Sequence, residues 1–325
     1  MKIGIVGAGL IGRKRALALP TGVVLKAVYD TKEEAALKFA QEFHCKKAGS
    51  LDEVLKDKEV EALIIATPNG FLSEIATKAI KAKKHILIEK PGGRTSREIK
   101  EIWSAWKASK VVVHFGYNHR FHPGIIKAKE IIDSGKYGPV LFIRAKYGHG
   151  GRLGYEKEWR FKKELSGGGE LIDQGSHLLN LTNFFIGEMG KVKSTAKTLF
   201  WKTSLEDTAF VLLENEKSQV ASLSVSCVEW KNLFSFEIML EKAKIQIDGL
   251  GGSYGTEKLT FYKMKPEMGP PETEEFTFDE PDNSWKTENE VFFGRIKAKD
   301  YSEQPLKDAL YVLETIEKVY QENDL

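Results

Sequence analysis

The sequence predicts an α/β chain in two parts. A parallel, doubly wound sheet runs to about residue 118, and an α+β region with a mostly antiparallel sheet follows. Three observations predict this. Up to Asn118, short β-branched runs alternate with amphipathic helical segments, the pattern of right-handed βαβ units. The first run leads straight into a glycine-rich turn, Gly7-Ala8-Gly9-Leu10-Ile11-Gly12. Beyond Asn118 the alternation stops and several strands follow in series, as in an antiparallel meander with helices on one face.

Each element has its own signal. Lys2–Val6 is a short buried strand and Ile11–Leu19 a helix. Val24–Tyr29 is a second strand, followed by the charged helix Lys32–Phe43. Ala62–Ile65 reads as the third strand, Phe71–Lys81 as a helix, and His85–Ile88 as the fourth strand. The helix Ser96–Ala108 and the strand Val111–Phe115 complete this part. Next come a helix over His122–Asp133, a strand over Val140–Tyr147 and a long apolar-faced helix over Glu170–Phe185. Ala221–Cys227 alternates apolar and polar residues. Leu233–Leu240 and Ala243–Ile247 form a hairpin closed near Glu241–Lys242, and Leu259–Lys263 is a further strand. The Pro-, Gly- and acid-rich stretch Lys265–Pro281 reads as a long surface loop. Helices over Trp285–Lys297 and Pro305–Tyr320 close the chain.

Composition narrows the class of function. The 325 residues, 42% hydrophobic and 29% charged, suit a soluble chain with room for two domains. A formal charge of +3 with no run of five basic residues excludes nucleic acid as an expected partner. The apolar run Ile3–Leu10 is broken by Gly4, Gly7 and Gly9, so neither a signal peptide nor a membrane span is expected. Cys45 and Cys227 form no CxxC pair, which argues against a zinc ribbon or disulfide scaffold and fits a reducing cytoplasm. A disulfide between the two stays open.

The glycine turn matches GxGxxG in its proper setting, after a strand and at the start of a helix. It predicts a Rossmann-type dinucleotide site. Gly7 allows the tight turn, Gly9 the approach of a pyrophosphate, and Gly12 close helix–strand packing. Leu10 and Ile11 add amides at the helix N-terminus, where phosphate is favoured. Asp30, eighteen residues after Gly12, ends the second strand. A carboxylate there would accept bonds from the adenosine ribose and repel a 2′-phosphate, so NAD is expected in preference to NADP. The alternative is a plain helix cap. Thr67, Pro68 and Asn69 follow the third strand, on the side of the sheet where ligands bind, unless they are only a turn.

Glu89-Lys90-Pro91 follows the fourth strand. Pro91 disfavours the α region at Lys90 and keeps it extended, where its amine could polarise a substrate oxygen; the alternative is a plain surface charge. Further on, Gly167-Gly168-Gly169 precedes Asp173 and His177, which are four apart and share a helix face. The glycines leave room for a ligand ring. His177 suits acid/base work on a hydroxyl proton. Asp173 could orient the imidazole or hold a substrate hydroxyl. Two metal ligands, or a buried structural bond, are the alternatives. No third ligand has metal-site spacing near His119 or His122, so no metal is expected.

Taken together, these residues resemble the Gfo/Idh/MocA family of glucose–fructose oxidoreductase and inositol dehydrogenase relatives. The resemblance covers nearly the whole chain. It rests on the glycine turn, Ala66-Thr67-Pro68-Asn69, Glu89-Lys90-Pro91, Gly116–Phe121, Gly167–His177 and the helix Asp308–Ile316. It implies a dinucleotide-binding Rossmann domain over 1–121 and a substrate-binding and oligomerisation domain over 122–325, with a mostly antiparallel open sheet. It implies His177 as general acid/base, Lys90 on the reacting oxygen, and Asp173 positioning the substrate or His177. Glu89, Lys90 and Asn118 join the cofactor contacts. Trp159 and Arg160 resemble a pair near cofactor and substrate. The sheet face over Ala221–Ile247 would form homodimers or homotetramers. Leu72 departs from the family, where a histidine often stands.

Before the Asp173 helix, Tyr147–Tyr155 is glycine-rich. Arg152 suits a phosphate or carboxylate and Tyr155 a polar ligand, in a mobile substrate loop or a plain surface loop. Gly249–Gly255 with Tyr254 is a second candidate loop. The expected function is an NAD(P)-dependent dehydrogenase or reductase of a sugar, nucleotide-sugar or polyol. The rivals are an enzyme that retains its NAD and a catalytically silent NAD-binding regulator.

Overall fold

The computed structural model describes residues 1–325. The chain divides into two compact units, Met1–Asn118 with Trp285–Leu310, and His119–Ser284 with Tyr311–Leu325. The sequence-based division at 121/122 keeps everything after residue 121 together. The two units differ from it in that Trp285–Leu310 belongs to the first.

In the first unit the order is β1 (Lys2–Val6), α1 (Leu10–Leu17), β2 (Val24–Tyr29), α2 (Glu33–Glu42), β3 (Lys46–Lys47), α3 (Leu51–Lys56), β4 (Ala62–Ile65), α4 (Asn69–Lys81), β5 (His85–Glu89), α5 (Ser96–Lys107) and β6 (Val113–Gly116). Six parallel strands run in the order β3-β2-β1-β4-β5-β6. The chain moves outward on one side of β1, then restarts at β4 on its other side. The loops after β1 and β4 therefore flank the switch point where such sheets bind ligands. Ile3, Ile5, Val28, Ala62, Ile64 and Leu87 are buried in one cluster with Phe39 and Phe292. Each of the larger apolar side chains contributes roughly 1.5–3 kcal/mol by leaving water. The two-residue β3 and the six-residue α3 are too short to show a periodicity. Only the Ser50 cap, accepting from Glu53 N, marks where α3 starts.

The second unit continues with α6 (Pro123–Asp133), β7 (Val140–Gly148), α7 (Lys163–Ser166), a π-turn at Leu171–Gly175, α8 (Ser176–Ile186), β8 (Lys191–Lys197), β9 (Thr208–Glu214), β10 (Val220–Ser226), β11 (Leu233–Leu240), β12 (Ala243–Asp248), β13 (Glu257–Lys263) and β14 (Glu272–Phe278). The last two helices are α9 (Ser284–Ala298) and α10 (Gln304–Glu322). Eight strands run in the order β14-β13-β12-β11-β7-β10-β9-β8, antiparallel except for the β7–β10 pair. Strand alternation sorts the two faces. Phe234, Phe236, Ile238 and Leu240 of β11 point into the core. Arg144, Ser222 and Leu212 share the opposite face.

Three expectations need correcting. The single helix expected over Glu170–Phe185 is a π-turn followed by α8. The loop expected over Lys265–Pro281 contains β14, an edge strand with nearly every residue solvent-exposed. An edge strand without a buried face carries no apolar alternation, so its acidic composition conceals it. Strands β8 and β9 were not anticipated either. The inward positions of β8 hold only Val192, Ser194 and Ala196, too weakly apolar to show an alternation, and outward-facing Phe210 and Leu212 hide the period-two pattern of β9.

Candidate active site

In the first unit, the glycine turn has the shape the motif requires. Gly7 has φ +104°, and a Cβ there would lie 2.3 Å from the Ala66 carbonyl oxygen. A Cβ on Gly12 would lie 2.0 Å from the Gly7 carbonyl, so α1 can sit this close to the turn only without one. Gly9 faces open space and caps α1 with no side-chain bond, leaving the first-turn amides toward solvent. Leu10 is exposed and Ile11 half-buried on that first turn. Asp30 Oδ2 accepts from Ala8 N at 2.7 Å and Oδ1 accepts from Lys32 N at 2.8 Å. The carboxylate thus braces the turn and is not the cap of α2, a position held by Lys32.

Across the switch point, Thr67 and Pro68 lead into α4, whose first residue is the buried Asn69. The Thr67 hydroxyl is buried and has no hydrogen-bond partner within the chain. An open glycine face, uncapped helix amides and a buried hydroxyl awaiting a partner together fit a dinucleotide. Gly7, Gly9, Leu10, Ile11, Gly12, Asp30, Thr67, Pro68 and Asn69 would hold it.

Glu89 ends β5 but turns its carboxylate inward, 2.6 Å from Arg15 Nε. Arg15 is fully buried and also meets Glu288 at 2.6 Å and Asn289 at 3.2 Å, while Glu288 Oε1 lies 3.3 Å from His114 Nε2. Burial pushes the Glu89 carboxyl up and the His114 imidazole down. Burial also opposes the Glu288 charge, but Arg15 and His114 outweigh it and hold that carboxyl below its ordinary value. A Cβ on Gly116 would lie 2.6 Å from the Arg15 guanidinium, so glycine there makes room for the pair. Lys90 follows β5 directly, half-buried, and its peptide bond to Pro91 is cis. Asn118, the last residue of this unit's first segment, is buried.

In the second unit, Asp173 sits in the π-turn and His177 in the first turn of α8. A π-turn widens the helix locally, a feature that recurs at functional sites. Asp173 Oδ2 accepts from Arg160 Nε at 2.8 Å. The His177 ring stacks on His119 with centroids 3.7 Å apart, and His119 Nε2 shares a 3.0 Å hydrogen bond with the Tyr147 hydroxyl. The Tyr147 and Tyr254 rings are 5.4 Å apart, and Gln174 Nε2 donates to the Tyr254 hydroxyl at 3.2 Å. Burial pushes both phenols up, Tyr147 well above its ordinary value, so both keep their protons. His177 therefore stands against the His119 ring near two protonated phenols, while Asp173 is paired with the Arg160 guanidinium.

The helix start is held by a carboxylate that sequence reasoning missed. Both Glu206 oxygens accept from Gly169 N at 3.0 Å, and Oε1 also accepts from Leu171 N at 3.1 Å and the Tyr320 hydroxyl at 2.8 Å. A Cβ on Gly168 would lie 1.9 Å from the Tyr320 hydroxyl, and one on Gly169 would lie 1.9 Å from the Glu206 carbonyl oxygen. Two of the three glycines thus admit Tyr320 and Glu206, not the ligand ring that the sequence reading placed there.

The remaining expected substrate residues are distributed unevenly. Arg160 packs over Trp159 and lies 3.4 Å from Glu158. Arg152, largely exposed, pairs with Glu158 at 2.6 Å. Tyr155 belongs to a small core with Phe161, Leu205 and Cys227, its hydroxyl 3.2 Å from His149 Nε2. Gly150 and Gly151 lie against the Trp230 backbone and the Trp201 ring. From the sequence alone, His119 is weighed only as a metal ligand and Tyr147 only as the start of a candidate loop, and Gln174 has no role. An inward-facing tyrosine at the end of a strand, needing a partner for its hydroxyl, was the one available signal. Cys45 and Cys227 are both free thiols, and no helix is long and apolar enough to cross a membrane.

Comparison with known proteins adds two family matches. Residues 1–117 match the model of an oxidoreductase family with an NAD-binding Rossmann fold, and residues 125–246 match the GFO/IDH/MocA C-terminal domain. A levoglucosan dehydrogenase of Pseudarthrobacter phenanthrenivorans is 29% identical over 61% of this chain and 54% of its own length. An inositol 2-dehydrogenase of Saccharopolyspora erythraea is 26% identical over 69% of this chain and 66% of its own. Alignments with the first curated relatives span about half the length of those proteins. A solved levoglucosan dehydrogenase in complex with NADH has the same fold, with a TM-score of 0.87, 22% identity, and coverage of 99% of this chain and 98% of that one.

Proposed function

Because the chain belongs to the Gfo/Idh/MocA oxidoreductase family, we propose that it transfers a hydride between NAD and a C–OH/C=O centre of a sugar, nucleotide-sugar or polyol. The observation that carries this reading is the Asp173–His177 turn, held by Glu206, with Asp173 braced by Arg160 and with the Gln174 amide and the tyrosine hydroxyls close by to meet a polyhydroxylated ligand. Names of relatives that act on levoglucosan and inositol support the same substrate class.

Bound nicotinamide would accept the hydride in oxidation and return it in reduction. The chain's own residues handle the proton and the geometry. In the oxidation direction, His177 takes the proton of the reacting hydroxyl, and in reduction it returns it. Lys90 donates a hydrogen bond to that oxygen and stabilises the negative charge developing on it. Asp173, kept in place by Arg160, accepts from a neighbouring substrate hydroxyl. Asp30 braces the glycine turn and disfavours a 2′-phosphate, so NAD is the working cofactor.

We assign residues 1–121 to cofactor binding and 122–325 to substrate binding and self-association. The sheet face away from α6 and α8 carries exposed Phe210 and Leu212 beside the strands over Ala221–Ile247. That supports a homodimer or homotetramer, and two free thiols support a cytoplasmic site of action. The test is NAD(H)-coupled screening of free sugars, inositols and nucleotide-sugars. Turnover that depends on Lys90 and His177 is expected. NADH binding without turnover of any of them would defeat the reading.

A further inference from the structure

Around Asp173 the second unit gathers two guanidiniums, Arg152 and Arg160, and three carboxylates, Glu158, Glu170 and Asp173. Arg160 lies 2.8 Å from Asp173 and 3.4 Å from Glu158, and Arg152 lies 2.6 Å from the other Glu158 oxygen. Glu170 is buried, 3.7 Å from His149. Burial pushes the His149 imidazole down, so at neutral pH it adds no positive charge to the group. The other cations of the stretch, Lys157, Lys162 and Lys163, are solvent-exposed. Both arginines thus already face carboxylates.

Such a cluster discriminates between ligand classes. A phosphate or carboxylate approaching Arg160 must draw it away from Asp173 and Glu158. That leaves those carboxylates next to a new anion, in a site where Arg160 and Asp173 are more than two-thirds shielded from solvent. A neutral polyol meets no such penalty. Its hydroxyls donate to Asp173, and its oxygens accept from the Gln174 amide and the tyrosine hydroxyls.

We propose that the substrate presented to Asp173 and His177 is an uncharged sugar or polyol, not a sugar phosphate, uronate or nucleotide-sugar, and that Glu158 enforces this choice by holding Arg152 and Arg160. The proposal rests on the dehydrogenase reading above and narrows it. Glu158 is a specificity-determining residue, because one carboxylate bridges the two arginines that an anionic substrate would need.

The test uses the full-length protein with matched pairs: glucose and glucose 6-phosphate, myo-inositol and its monophosphate, and N-acetylglucosamine with its UDP derivative. In the unaltered protein the neutral member of a pair should have the higher kcat/KM by at least about tenfold, the worth of one charge-assisted hydrogen bond. Inorganic phosphate should not compete. Glu158→Gln, at a part-exposed position that tolerates an isosteric amide, should shift the ratio toward the phosphorylated member by about tenfold and make inorganic phosphate a competitive inhibitor. Faster turnover of charged members by the unaltered protein, or an unchanged ratio in Glu158→Gln, would overturn the proposal while the dehydrogenase reading stands. If no compound turns over, that reading fails by itself. Calorimetric titration of the NADH-bound protein with glucose and glucose 6-phosphate then still decides the charge preference. Tighter binding of the phosphate by the unaltered protein refutes it, and a preference that reverses in Glu158→Gln supports it.

Discussion

Asp30 commits both carboxylate oxygens to backbone amides, Ala8 in the glycine turn and Lys32 at the start of α2. It therefore has a mechanical role and an electrostatic one, which two substitutions separate. Asp30→Asn keeps an acceptor for Ala8 N but loses the charge that repels a 2′-phosphate. It should raise NADPH affinity relative to NADH while leaving the turn formed. Asp30→Ser also loses the reach to Ala8 and should weaken both cofactors while still shifting the ratio. Fluorescence titration with NADH and NADPH measures both effects, and an unchanged ratio in both variants would leave Asp30 a brace only. His177 gives the complementary case. His177→Ala should lower turnover by about 10²–10⁴, the usual worth of general acid/base catalysis, with NADH affinity nearly unchanged. An equal loss of NADH binding would make the imidazole structural.

At the scale of elements, the π-turn depends on Glu206. Its carboxylate is almost fully buried and serves two amides and a phenol at once. Burial raises its pKa, and the hydrogen bonds from Tyr320, Gly169 and Leu171 offset this only in part. The sign follows from linkage. A carboxyl with a raised folded pKa binds its proton more tightly in the folded state than in the unfolded chain. Its contribution to stability is therefore present below the unfolded value and is lost as pH rises through the window up to the folded one. Glu206→Gln cannot ionise and should lack that loss, so denaturation midpoints of the two proteins should drift apart across the window just above ordinary carboxylate pKa values. At neutral pH the amide cannot accept from all three donors. A cost of about 1–3 kcal/mol is expected, with turnover falling alongside because Asp173 loses its support. Parallel midpoints at every pH would show that Glu206 titrates as in the unfolded chain. Element boundaries were largely legible in the sequence: Val24–Tyr29, Ala62–Ile65 and Leu233–Leu240 hold their expected ends. Buried β-branched runs and clean alternation produce sharp edges. The π-turn left no such trace, because one extra residue in a helical turn barely alters hydrophobic spacing.

On the scale of the whole molecule, the first unit closes only with residues from the far end of the chain. Phe292 completes its core, and Glu288 and Asn289 meet the fully buried Arg15. Removing one partner from a buried ion pair strands the other, so Glu288→Ala should cost about 3–5 kcal/mol in chemical denaturation. A fragment of residues 1–121 should be less stable than the same unit in the intact chain, and adding residues 285–310 in trans should recover part of the loss. A fragment as stable as the intact unit would show that Arg15 is satisfied by Glu89 alone.

By itself the sequence determined what lies within a few residues along the chain. It specified the glycine turn, the strand–helix alternation, the Asp173–His177 spacing and the placement of Asp30 and Lys90 at strand ends. These are local because steric rules and periodicity act between near neighbours. Tertiary structure alone decided that Arg15 meets Glu288, that Glu206 and Tyr320 fill the space left by Gly168 and Gly169, and that Glu158 occupies both arginines. Such pairings join residues separated along the chain or choose one partner among several acids in reach. The burial that makes them matter exists only once the layers have packed.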